Sequence, residues 1–300
     1  MAQRRGRRPR PEMTSQSVDA EWQPSELELS RRVLRRRATT RSVLIALGSS
    51  VALAVVLIVV VVNTPGWAIV SQTFFDPQVA LESIGPIFQG LLVNLLALAI
   101  AVVCVAILGT LLATMRSLRG PVFFPLRALA AAYTDFFRGI PLLIVLYLVG
   151  FGIPALMIFP RMPPMFWGTI ALVLTYSAYV AEVLRAGMEA VHPSQRIAAR
   201  SLGLTHGQTL RIVVIPQGVR KVVPALMNDF VSMQKDVGLI SVLGAIDAVR
   251  AAQLMVAETY NFTPYVVAGL MFIILSWPMI RLTDVVTARL NKREQAGGVV

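Results

Sequence analysis

The side chains of this protein best suited to chemistry are carboxylates and guanidiniums set into apolar sequence. Asn228, Asp229, Lys235 and Asp236 lie in IPQGVRKVVPALMNDFVSMQKDVGLISVLG, Ile215–Gly244, a stretch otherwise rich in aliphatic residues. An ionisable group facing lipid is costly, so a membrane crossing that carries such groups is shielded by other helices or lines a polar cavity. A carboxylate at Asp229 would favour an amino group or a cationic side chain of a solute. The plainer alternative is that Lys235 and Asp236 mark an interfacial end while Asp229 pairs internally. Lys235 and Asp236 are adjacent, so on a helix they point to different faces and need not pair. Glu182 and Arg185 stand three apart at the end of an apolar run and can pair on one helical face. Arg138 precedes Pro141 and a further run, where a snorkelling end-of-span charge is the ordinary role.

The usual marks of catalysis are missing. The sequence holds no Walker-type glycine loop, no HExxH and no nucleophile elbow. His192 and His206 are its only histidines, and Cys104 is a single cysteine within an apolar run. Neither a disulfide framework nor a His- or Cys-based metal centre can be built from these. The chain reads as non-enzymatic. A solute moved uphill would need energy from elsewhere.

The elements that must position these residues are membrane spans. The chain is 56% hydrophobic with a mean hydropathy of +0.68. Apolar runs of roughly 18 or more residues are read as spanning helices. Five charge-free runs qualify: Ser42–Val62, Gln89–Met115, Gly139–Pro160, Met162–Ala181 and Asn261–Ile280. The net charge of +12 is unevenly placed, with eleven Arg in the first 41 residues and no Lys or Arg from Asn63 to Phe88. This asymmetry sets the N-terminus in the cytoplasm and argues for attraction to lipid surfaces rather than to nucleic acid. The basic tail RLTDVVTARLNKRE from Arg281 belongs on the same side. An even number of crossings is therefore needed, and Ile215–Gly244 supplies the sixth. The expected fold is all-α and polytopic, with about six spans. The expected divisions are an Arg-rich tail (1–41), an anchor (42–62), an extracytoplasmic loop (63–88), a core (89–290) and a C-terminal tail (291–300).

Between the fourth run and the sixth crossing lies RIAARSLGLTHGQTLRIVVIP, polar and rich in small residues. His192–Leu204 reads as a short cytoplasmic helix. Pro193 suits a helix start, Ser194 could cap it, and Gly203 can close it in a left-handed conformation. Ala198 and Leu202 share one face with Ile197 beside them, while Arg196 and Arg200 share another. That combination fits a docking knob for a protein partner, or an amphipathic linker resting on headgroups.

Here the sequence resembles the integral-membrane permeases of bacterial ATP-binding-cassette importers, in the polar amino acid branch. Their loop motif reads E-A-A-x3-G-x9-I-x-L-P. This chain has Ile197, Ala198, Ala199, Gly203, Val213, Ile215 and Pro216 at the same spacings. YTDFFRGIPLL from Tyr133, AYVAEVLRAG from Ala178 and NDFVSMQKDVGLISVLG from Asn228 follow the branch's other blocks in order. The likeness covers about residues 88–290.

The resemblance implies a type I importer permease fold with a cytoplasmic coupling helix in the 189–216 loop. It implies separate ATPase subunits that hold ATP and Mg²⁺, with no cofactor on this chain. It also implies a second permease, identical or related, and an extracytoplasmic solute-binding protein. Arg196, Ile197, Ala198, Ala199, Arg200, Gly203 and Pro216 would meet the ATPase. Asn228, Asp229, Lys235 and Asp236 would line the path, and Arg138, Glu182 and Arg185 would serve near the cytoplasmic mouth. One residue departs from the motif, since Ile197 replaces its Glu. With Ser194 as cap, that Glu would complete a capping box, and its loss should cost about 0.5–1 kcal/mol at the helix start. Two other readings stay open: an ion-coupled transporter or channel without ATP, and a membrane interaction protein whose Arg-rich tail is the working part.

Overall fold

The computed structural model describes residues 25–118 and 120–297. Most of the Arg-rich tail, Arg119 and the last three residues lie outside them. Every regular element among the described residues is helical. The chain divides into two compact units after Trp67.

Among the described residues the first unit consists mainly of one helix, α1 (Glu26–Val62). Ser25 caps it, its hydroxyl accepting from the Glu28 N–H at 3.3 Å. Asn63 and Thr64 close it, their side chains donating to the carbonyls of Val59 and Val61. Thr39–Val62 is long and apolar enough to span a membrane. The helix runs unbroken through the expected boundary between tail and anchor.

The second unit begins at Ala68, within α2 (Trp67–Phe74), and continues into α3 (Pro77–Ser117). The segment 63–88, expected as a loop, is therefore mostly helical. Polar Gln78 and Glu82 moved the apolar run's apparent start to Gln89. Helix initiation instead follows the cap: Asp76 accepts from the Gln78 and Val79 N–H groups, and Pro77 occupies the first turn. α2 is stitched to the residues before the last helix. Asn261 donates to the Gln72 carbonyl, the Phe262 N–H to that of Thr73, and the Asp76 N–H to Thr263 Oγ1. Phe74 stacks on Phe262 with centroids 5.1 Å apart.

A short 3₁₀ turn (Pro121–Phe123) leads into α4 (Phe124–Gly139), α5 (Leu142–Tyr147), a π turn and α6 (Ile153–Ala155). α4 and the α5–α6 stretch meet at 107°. Pro141 explains the break, because the residue before a proline avoids helical geometry, and Ile140 is extended at φ −110°, ψ 133°. Next come α7 (Pro164–Glu189), α8 (Pro193–Ser201), α9 (His206–Thr209), a π turn and α10 (Ile215–Asp236). A 3₁₀ stretch (Val237–Leu243), α11 (Ala248–Thr259) and α12 (Thr263–Gly297) complete the chain. Among the described residues four helices are long and apolar enough to cross a membrane. The number rises to six if each of two bent pairs counts as one span. The crossing expected at Ile215–Gly244 belongs to the second such pair, bent by 48° before α11.

The core forms where α3, α5, α7 and α10 converge. Ala101, Leu146, Leu172 and Ile240 are fully buried there. Close approach of α7 and α10 relies on Gly187 and Gly218, each filling the space a side chain on the other would need. The two helices that cross here are the ones that flank the loop carrying α8.

Candidate functional site

Two neighbouring features hold the candidate residues: the α8–α9 loop and the polar face of α10. The α8 helix is closed at both ends. Pro193 takes its first turn, which leaves His192 as the cap, with Nδ1 accepting from the Ser194 N–H at 3.3 Å. Ser194 Oγ lies 2.7 Å from the same nitrogen. The expected cap at Ser194 is therefore corrected. The third helical position becomes Gln195, so a Glu at 197 would complete no capping box, and the expected loss at the helix start does not arise.

At the other end the Leu204 N–H bonds to the Ala199 carbonyl and the Gly203 N–H to that of Arg200. With Gly203 at φ +86°, this is a Schellman closure. Thr205 then opens α9 with a complete capping box to Gln208. Pro216 sits in the first turn of α10. Ala199 packs inward, 5% exposed, whereas Ile197 and Leu202 stand 66% and 83% exposed. Ala198 and Arg200 are also exposed. Arg196 parts company with Arg200: its Nη2 donates to the Met188 carbonyl at 2.5 Å. Lys221 of α10 donates to the Ala190 carbonyl at 2.8 Å, a further tie at the root of the loop.

Above that root, Glu182 gathers three arginines. Its carboxylate lies 2.5 Å from Arg185, 2.7 Å from Arg116 and 3.7 Å from Arg138. Arg185 also reaches Glu189 at 2.5 Å. The expected Glu182–Arg185 pair is present, and it joins α3 and α4 to α7. Arg116 was not singled out from the sequence. Its only sign there was its place at the end of an apolar run.

On α10 the four candidates split by face. Asp229 and Asp236, two turns apart, are partly buried, whereas Asn228 and Lys235 are exposed. Tyr176 of α7 donates to Asp236 Oδ2 at 2.7 Å. Asp229 Oδ2 is buried without a hydrogen-bond partner among the described residues. A carboxylate oxygen held this way suits a cationic or hydrogen-bonding solute group.

Sequence reasoning also missed Tyr176, Asn94 and Asp247. Asn94 is buried and bonds to the Val237 carbonyl, to Asp247 Oδ2 at 3.1 Å and to the Ala248 N–H at 3.0 Å. Asp247 in turn caps α11 through the Arg250 N–H. This pair fixes the bend after α10. Among the described residues no group of three His, Cys, Asp or Glu is placed to hold a metal ion.

A family model for the binding-protein-dependent transport system inner membrane component matches residues 120–294. The arginine transport system permease protein ArtQ of Bacillus subtilis (strain 168) is 33% identical over 202 residues, 67% of this chain and 90% of that protein. The probable glutamine ABC transporter permease protein GlnM of the same strain is 32% identical over 216 residues, 72% of this chain and 98% of that protein. Among solved structures, an amino acid ABC transporter crystallised with histidines superposes with a TM-score of 0.65 at 32% identity, covering 71% of this chain and 98% of that one. The inward-facing MetNI methionine ABC transporter shares the fold, with a TM-score of 0.57 at 16% identity over 68% of this chain and 96% of that one. With its loop helix, its bent spans and this match over more than half its length, the chain belongs to the binding-protein-dependent inner membrane components, the permeases of ABC importers.

Proposed function

We propose that this chain is the permease subunit of an ATP-driven importer of polar amino acids. It forms the translocation path by alternating access and is moved by separate ATPase subunits through α8. Both termini lie in the cytoplasm, and the bilayer is the bacterial cell membrane. ATP and Mg²⁺ are held by the ATPases, and the chain itself only transmits their motion. A second permease, identical or related, completes the path. A solute-binding protein delivers substrate at the opposite face.

One observation carries this reading: α8 is a rigid, doubly closed helix that offers Ile197 and Leu202 outward from the Gly187–Gly218 crossing. Ala198, Arg200 and Gly203 flank that apolar edge, whereas Arg196 and Ala199 hold the helix to the permease. Docking is thus more apolar than in relatives with Glu at this position. The names of the related permeases, for arginine and glutamine transport, support the substrate class. Asp229, Asp236 and Tyr176 are the path residues this reading favours, with Asn228 and Lys235 on the neighbouring face. Arg138, Glu182 and Arg185 brace the inner mouth.

Proteoliposomes decide the matter. Labelled amino acid should accumulate only when the ATPase, ATP and binding protein accompany this chain. Accumulation by this chain alone on an ion gradient would replace the proposal with a secondary transporter.

A further inference from the structure

A cavity of about 260 Å³ beside α8 is walled by Arg116, Arg127, Arg185, Glu189, Arg196 and His206. Glu182 answers the charge of Arg116 and Arg185, and Glu189 again meets Arg185. Arg127 and Arg196 differ, for among the described residues neither forms an ion pair. Arg127 Nη1 donates to the carbonyls of Leu118 and Gly120, both at 3.0 Å. Arg196 Nη2 donates to that of Met188, and its Nε is buried with no hydrogen-bond partner among the described residues. Carbonyls orient a guanidinium without neutralising it. Two fixed cations therefore line one cavity, an arrangement suited to a small, multiply charged oxyanion.

The chain beside this cavity has a second property. Val122 and Phe123 on the turn leading into α4, and Phe124 at its first position, stand 82%, 41% and 62% exposed just before Arg127. Apolar side chains projecting next to guanidiniums mark a segment at a bilayer surface, with rings among acyl chains and charges at phosphate level.

We propose that the cavity binds a phosphate group, gripped by Arg127 and Arg196, and that its source is the headgroup of an anionic phospholipid. Arg127 belongs to α4 and Arg196 to α8. A bound headgroup would therefore tether the loop helix to the bilayer and make its movement sensitive to lipid charge. The inference stands on the cavity and holds whichever energy source drives the chain.

The test uses the full chain in nanodiscs of phosphatidylcholine with and without phosphatidylglycerol. Native mass spectrometry counts the retained lipid. The basic tail is common to all variants and sets a shared background. Phosphatidylglycerol retention should fall about tenfold or more in Arg127→Gln/Arg196→Gln, because charge-assisted hydrogen bonds are lost. The Lys/Lys double variant, which keeps charge but loses the fork, should fall between. Retention by the Gln double variant equal to wild type overturns the headgroup as the source. Inorganic phosphate raising the melting temperature of wild type in neutral nanodiscs, but not of the Gln variant, keeps the site and assigns it to free phosphate. If neither probe separates wild type from variants while ATPase binding drops, the cavity receives an acidic protein side chain and the proposal fails.

Discussion

Gly187 and Gly218 touch backbone to backbone where α7 crosses α10. A Cβ on Gly187 would lie 2.7 Å from the Gly218 carbonyl oxygen, and one on Gly218 2.9 Å from that of Gly187. Backbone cannot yield as a flexible side chain can. Gly218→Ala should therefore destabilise by about 1–3 kcal/mol through overpacking. Gly207, with open space around it, provides the control, and Gly207→Ala should leave the melting temperature nearly unchanged. Thermal unfolding in detergent compares the two.

Gly203 holds φ +86° at the closure of α8. An L-residue there meets a left-handed penalty of about 1–2 kcal/mol. Gly203→Ala should loosen the last turn of the loop helix and reduce ATPase stimulation with little change in overall unfolding. Gly203→Asn should fall between, as Asn tolerates this conformation better. Hydrogen exchange at the Leu204 and Gly203 amides reports the loosening directly.

Ile197 and Leu202 are both mostly exposed within the chain. Ile197→Asp and Leu202→Ser should therefore change stability by no more than about 0.5 kcal/mol. Association with the ATPase, measured by co-purification and titration, should weaken about tenfold or more, as expected when an apolar anchor is removed from an interface. Unchanged association would show that this edge faces water in the complex.

Among the described residues Glu182 alone joins Arg116, Arg138 and Arg185. Glu182→Gln leaves three guanidiniums crowded around a neutral amide. A loss of about 2–4 kcal/mol is expected, since the Glu182 side chain and that of its partner Arg116 are both mostly shielded from solvent. Glu182→Asp should recover part of it. Denaturant unfolding of the reconstituted chain measures both.

Asp229→Asn removes a partly buried carboxylate whose buried Oδ2 makes no hydrogen bond among the described residues. Folding should be unaffected or improved, because a desolvated charge disappears. Uptake should fall, most steeply for solutes with a cationic side chain. Uptake competition between arginine and glutamine gives the ratio.

The sequence carried the spans, the loop helix and the Glu182–Arg185 pair because each depends on local spacing. Five apolar runs are visible to hydropathy, and Gly203 announces a helix end wherever it falls. Three things were beyond its reach. The cap moved from Ser194 to His192 because Pro193 took the first turn, a competition that residue preferences alone do not settle. The α4–α5 corner needed the direction of the chain on both sides of Pro141. Arg116, Tyr176, Asn94 and Asp247 meet partners on other elements that lie between 60 and 154 positions away, Tyr176 with Asp236 at one extreme and Asn94 with the Ala248 N–H at the other, and no periodicity encodes such meetings.

The stitching of α2 to residues 261–263 has a mechanical corollary. Two hydrogen bonds and a ring stack rivet the short helix to the residues at the start of α12, and a third bond from Asp76 ties down the turn that follows it. A load applied to the Trp67–Phe74 rim cannot be absorbed by a slack loop. It passes straight into the final span, so the rim acts as a stiff handle by which anything seated there can feel, or resist, the tilting of that helix.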